Sequence, residues 1–264
     1  MRLLVATASI LSMLGAGVAA SAQGSVSRTS PKPTIVLVHG AFAGSSSWNS
    51  VITDLTRDGY SVIAVANPLR SVKGDAAYVA SLVRTISGPV VLVGHSYGGE
   101  VVSVAAADQA NVKALVFVAG FAPEVGESAA SLGAQFPTGT LGETLDTPVP
   151  LAHGGSDLYI QQPRYWRQFA ADVSQAMAVT MAATQRPIVQ SALGEPAAAQ
   201  AWRKVPSWFI WGSLDRNIPS ALHAFMAKRA NARAAVEVKG ASHVVMISHP
   251  REVADIIERA ATAQ

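Results

Sequence analysis

Apolar and polar positions along this chain change period in blocks. Short apolar runs rich in Val, Ile and Leu cover residues 34–38, 60–66, 89–93, 112–119, 207–211 and 234–238. Runs of this length and β-branched content read as buried strands. Between them the apolar residues move to helical spacing. Residues 48–58 put Trp48, Val51, Ile52 and Leu55 on one helix face, and residues 74–87 put Tyr78, Leu82 and Ile86 on one stripe. Residues 99–107 continue straight from a strand into a helix. A last helix opens at Pro250 and runs to about residue 261, with Val253, Ile256, Ile257 and Ala260 as its buried face.

The rhythm breaks at residues 121–187. Turn residues come first, then helical stretches in which Tyr165, Phe169, Val173, Met177 and Met181 recur every four positions. Asp172-Val173-Ser174 splits this stretch into two helices, with Ser174 as an N-cap. Strand–helix alternation implies an α/β fold: a mostly parallel central sheet with helices on both faces. The interruption implies a helical cap, inserted between two core strands and lying over their carboxyl ends, where ligands bind in such sheets. Residues 34–264 read as one domain carrying that cap.

The N-terminus follows a different pattern. Arg2, a short apolar run and Ala20-Ser21-Ala22 resemble a secretory signal over residues 1–22, with cleavage after Ala22. Residues 23–33 then form a polar, flexible leader. The expected location is secreted or periplasmic, with no stable membrane anchor, since no other run is long enough to span a bilayer.

Composition narrows the chemistry. Of 264 residues, half are hydrophobic and 14% are charged, which suits a globular chain with a large core. The net charge of +3 comes without a Lys/Arg cluster, so nucleic acid is not an expected partner. With no cysteine, a thiol nucleophile and disulfides are excluded. Neither H-E-x-x-H spacing nor a dinucleotide fingerprint occurs, and no cofactor or metal is expected.

The chemistry-bearing motif is Gly94-His95-Ser96-Tyr97-Gly98, a G-x-S-x-G pattern between a strand and a helix. A serine on so sharp a turn holds its hydroxyl out at the strand end. It needs a base. Of six histidines, His243 follows the late strand 234–238 on a short turn and can reach the strand ends. His39 reads as a brace for its own loop and His95 as packing. His153 lies in a Gly-rich cap loop, His223 in a helical run and His249 at a helix entry. The imidazole needs a carboxylate to set its tautomer. Asp215 follows the strand 207–211, with Asp157 in the cap as the runner-up. A negative oxygen needs donors already in place. The Tyr97 N–H is one; the Ala41 N–H, with the Phe42 N–H as the alternative, is the other.

Val38-His39-Gly40-Ala41, Gly94-His95-Ser96-Tyr97-Gly98-Gly99, Asp215 and His243-Val244-Val245-Met246 together resemble α/β-hydrolase-fold serine enzymes. The likeness is strongest to the small-capped branch of methylesterases, hydroxynitrile lyases and bacterial esterases. Related lyases carry a lysine directly after the triad histidine and a threonine directly after the oxyanion-loop histidine. Val244 and Gly40 stand at those positions here, which favours ester hydrolysis. The expectation is a serine hydrolase that cleaves a small, apolar or aromatic carboxylic ester through an acyl-enzyme. Residues Phe121, Phe136, Tyr159, Tyr165, Trp166, Phe169 and Met177 are candidates for its pocket. Alternatives are a ligand-binding receptor on the same scaffold, or a lactone, amide or C–C bond hydrolase with the same triad.

Overall fold

The computed structural model describes residues 31–263. The signal segment expected at 1–22 and residues 23–30 of the leader lie outside the described residues. Residues 31–33 have no regular structure.

The chain begins with β1 (Thr34–Val38), a single 3-10 turn, α1 (Asn49–Arg57) and β2 (Val62–Val65). Then come α2 (Val72–Arg84), β3 (Val90–His95), α3 (Tyr97–Ala105) and β4 (Val112–Val118). The insertion that follows holds α4 (Ala129–Gln135), β5 (Val149–Pro150), β6 (Ser156–Leu158), α5 (Gln162–Phe169), α6 (Gln175–Thr184), β7 (Ile188–Val189) and α7 (Gln190–Gly194). The core resumes with β8 (Ser207–Gly212), α8 (Ser220–Arg229), β9 (Ala234–Val238), α9 (Val245–Ser248) and α10 (Pro250–Thr262).

Six strands form one parallel sheet in the order β2-β1-β3-β4-β8-β9. Strands β3 and β8 are buried at every position, and β1 and β4 nearly so, because helices cover both faces. That explains their unbroken apolar runs. The chain steps outward from β1 to β2, then returns across β1 to β3. Strand order therefore reverses between β1 and β3, and the loops leaving their carboxyl ends diverge around a crevice. Both loops carry candidate site residues.

Helix α2 differs from its sequence reading. Ser71 caps it, accepting from the Gly74 amide, and the buried face is Val72, Ala76, Val79 and Val83. Tyr78 is half exposed, and Ile86 lies beyond the last turn. The large residues drew the stripe, but α2 lies close against α3, and small side chains fill that contact. Ser174 does cap α6, accepting from the Met177 amide. Met177, on the same four-residue spacing as Tyr165 and Phe169, is half exposed. The insertion also holds a three-stranded antiparallel sheet, β5-β6-β7, whose strands are too short to show a period of two. Among the described residues no helix is long and apolar enough to cross a membrane.

Candidate active site

Strand β3 ends at His95, and the backbone turns at once into α3. Ser96 makes the turn at φ 54° and ψ −126°, a conformation that costs a side-chain-bearing residue of order 1–3 kcal/mol. Its surroundings hold it there. The Ser96 amide donates to the Val118 and Ala119 carbonyls, and its carbonyl accepts from the Gly99 and Phe121 amides. Close packing completes the turn: a Cβ at Gly98 would sit 2.4 Å from the Val38 carbonyl oxygen. The Tyr97 side chain points away from the turn, donating to Asp75 at 3.0 Å.

The loops after β8 and β9 are tied to each other. Ser213 N donates to the Val238 carbonyl, Leu214 N to the Ala241 carbonyl, and Gly240 N to Ser213 Oγ. This registers Asp215 against His243, and His243 Nδ1 donates to Asp215 Oδ2 at 2.7 Å. Asp215 Oδ1 accepts from the Asn217 and Ile218 amides at 2.8 and 3.0 Å. Burial alone would raise the Asp215 carboxyl. Attraction to His243, with hydrogen bonds from His223 and His243, outweighs it and holds the group below the usual carboxylate range.

His223 is the partner that sequence reasoning missed. Its Nε2 donates to Asp215 Oδ2 at 3.2 Å, and its ring stacks on Trp211. Burial lowers its pKa more than Asp215 raises it, so the ring is neutral and Nε2–H is the donor. Asp215 thus sits between two imidazoles. Asp157, the runner-up acid, is committed elsewhere, to Arg70 at 2.6 Å.

Because His243 Nδ1 donates to a carboxylate, Nε2 is left as the basic nitrogen. It is buried and has no partner among the described residues. Ser96 and His243 line one cavity of about 430 Å³. They are not hydrogen-bonded to each other in this structure. The structure therefore brings Ser96, Asp215 and His243 to one place. The His95 ring packs against His243, centroids 4.7 Å apart, and its Nε2 donates to the His243 carbonyl.

The loop after β1 forms the opposite wall. His39 Nδ1 donates to the Gly40 carbonyl, and its Nε2 accepts from the Asn67 amide. Burial brings its pKa down to about 4, a bound proton being further disfavoured by nearby Arg186, so the ring braces the loop as a neutral group. Gly40 presses bare backbone onto Ser96: a Cβ there would lie 2.6 Å from Ser96 Cβ. The Ala41 and Tyr97 amides make no hydrogen bond among the described residues. The Phe42 amide, the alternative donor, is already spent on the Arg186 carbonyl at 2.8 Å.

The remaining cavity lining is mainly apolar. Phe121, Phe136, Leu141, Leu145, Phe169 and Leu193 belong to it, Asn217 is a polar member, and no Lys or Arg lines it. Of the other pocket candidates, Tyr165 and Met177 line a neighbouring cavity, while Trp166 donates to the Val173 carbonyl in the cap and Tyr159 lies outside both cavities. His153 is exposed, and His249 occupies the N-cap position of α10 without capping it by its side chain, which contacts Ser248 Oγ through Nδ1.

Comparison with known proteins adds three observations. A model of the family described as "Alpha/beta hydrolase family" matches residues 35–256. An alpha-hydroxynitrile lyase of Arabidopsis thaliana is 24% identical over 252 residues, covering 88% of this chain and 98% of the relative, and norfluorocurarine synthase 2 of Strychnos sp is 26% identical over 251, covering 83% and 91%. The crystal structure of polyneuridine aldehyde esterase superposes with a TM-score of 0.74 at 20% identity, covering 87% of this chain and 99% of that one.

Proposed function

The chain belongs to the alpha/beta hydrolase family, and from that premise we propose that it is a serine carboxylic-ester hydrolase acting through an acyl-enzyme. Ser96 Oγ attacks the ester carbonyl carbon while its proton passes to His243 Nε2. The Asp215 carboxylate stabilises the imidazolium, and attraction to His243 with the hydrogen bond from His223 keeps that carboxylate ionised. The Ala41 and Tyr97 N–H groups hold the oxyanion. Collapse expels the alcohol, which takes its proton from His243. Water, deprotonated by His243, then attacks the Ser96 ester and frees the acid.

One observation carries this reading. An Asp-fixed imidazole offers an unpartnered Nε2 to the same cavity as a serine held in strained backbone. The wall supports the substrate class: a mainly apolar and aromatic lining without a cation favours a small, uncharged, apolar or aromatic ester. Export to the periplasm or exterior is part of the proposal, supported by residues 1–22; Gln23 is then the first residue of the mature protein.

Similarity to a hydroxynitrile lyase raises a second chemistry. The site residues argue against it. Val244 is buried where related lyases carry lysine, and Gly40 has no room for their threonine without moving Ser96. Turnover of a p-nitrophenyl ester of a short acid by wild type and Ser96→Ala tests the proposal. Multiple turnovers by wild type alone support it. A single stoichiometric burst points to a receptor, and equal turnover by the variant refutes the nucleophile.

A further inference from the structure

Beside the catalytic cavity lies a second one of about 410 Å³, between the loop after β1 and helix α6. It is lined in part by Tyr165, Met177, Thr180, Met181, Gln185 and Ile247. The two cavities share one lining residue, Phe42. Its ring meets Phe169 edge-on, centroids 6.2 Å apart, and Phe169 in turn packs on Tyr165 at 5.0 Å. The partition between the cavities is therefore an aromatic wall with Phe42 at its centre.

A wall and a gate differ in whether the residue can move, and the backbone decides between them. Phe42 lies at φ 59°, in the left-handed region that a bulky residue avoids. Glycine is the usual occupant of such a position, and this loop has two glycines nearby that do not take it. The cap pins Phe42 from both sides: its amide donates to the Arg186 carbonyl, and its carbonyl accepts from the Tyr165 hydroxyl at 2.8 Å. A phenyl ring on backbone fixed at both ends, two per cent exposed, is not free to swing.

We infer that Phe42 is a specificity-determining wall: it closes the catalytic cavity against the second chamber and sets the longest substrate arm the site accepts. This rests on the ester-hydrolase reading. A linear chain that fills the first cavity meets the Phe42 ring. Without that ring, further methylenes would enter the second chamber, where burial of each is worth about fourfold in binding.

The test is the ratio of kcat/KM for p-nitrophenyl decanoate to that for the butyrate. Phe42→Ala is expected to raise the ratio at least tenfold over wild type, and Phe42→Leu, the smaller perturbation, to raise it less. Met181→Trp in the Phe42→Ala background refills the second chamber and is expected to return the ratio towards wild type. Met181→Trp alone is expected to leave it unchanged, because the chamber is sealed off. An unchanged ratio in both Phe42 variants overturns the inference. So does a fall in the wild-type ratio on Met181→Trp alone, which would mean that substrates already pass Phe42. If wild type hydrolyses neither ester, the hydrolase reading fails instead. The wall is then tested by binding alone, with calorimetry of decan-1-ol against butan-1-ol: selective tightening for decan-1-ol in Phe42→Ala supports it, and equal change for both overturns it.

Discussion

Glu100 lies one turn beyond Ser96 on α3, wholly buried, with neither carboxylate oxygen hydrogen-bonded among the described residues. Burial pushes its pKa from 4.5 up to about 9; the nearby Ala129 amide, outside hydrogen-bonding geometry, offsets part of the rise, and the Glu195 charge adds to it. At neutral pH the folded protein therefore holds a proton that the unfolded chain has released. Between pH 4.5 and about 9 the native state binds one more proton at this group, so folding stability falls as pH rises, by ~1.4 kcal/mol per unit. The accumulated cost at pH 7 is ~3 kcal/mol. Glu100→Gln removes the titration. Its amide brings an unsatisfied-donor cost of about 1–3 kcal/mol, but that offset does not depend on pH. The assay is urea unfolding of both proteins at pH 6, 7 and 8, read as the stability difference between them. That difference is expected to shift towards the variant by ~3 kcal/mol across the range. Taking the difference cancels the buried histidines: His39, His95 and His223 have depressed pKa values, so their stabilisation is present above pH 6.5 and is lost as pH falls, in both proteins. A difference constant across the range would refute the reasoning.

Other substitutions probe the site itself. Asp215→Asn should lower kcat by roughly 10³–10⁴-fold with little change in KM, because the His243 tautomer and cation lose their partner; steady-state kinetics on a short ester reads this. His223→Ala leaves a buried carboxylate short of one donor and should cost about 1.5–3 kcal/mol in chemical denaturation; a change under 0.5 kcal/mol would show that the second imidazole is incidental. Gly40→Ala drives a Cβ to within 2.6 Å of Ser96 Cβ and 2.7 Å of the His95 carbonyl oxygen. The displaced backbone should lower kcat by about 10²-fold, and full activity in that variant would mean that the Gly40 contact does not fix Ser96.

The strands were legible because helices on both faces demand apolar residues at nearly every position, and Val-rich runs such as residues 90–93 stand out at that density. Asp215 and His243 could be placed because each follows a strand directly, so topology alone carries them to the same sheet edge. His223 could not. Its role depends on how α8 leans against β8, and the only hint was a second histidine eight residues beyond Asp215. The α2 face was misread because size was taken for burial, whereas close helix contact selects Ala and Val. Phe42 was hidden by its neighbours: a Gly-rich loop suggests that glycine takes the left-handed position, yet hydrogen bonds from the cap, distant in sequence, impose it on a phenylalanine.

The central claim is that His243 makes Ser96 nucleophilic. Treating the protein with a small alkyl fluorophosphonate and locating the adduct by peptide mass spectrometry tests it most directly. One adduct per chain on Ser96, formed far more slowly in His243→Ala, is the expected result. Labelling at another residue, or an equal rate in the His243 variant, would contradict it.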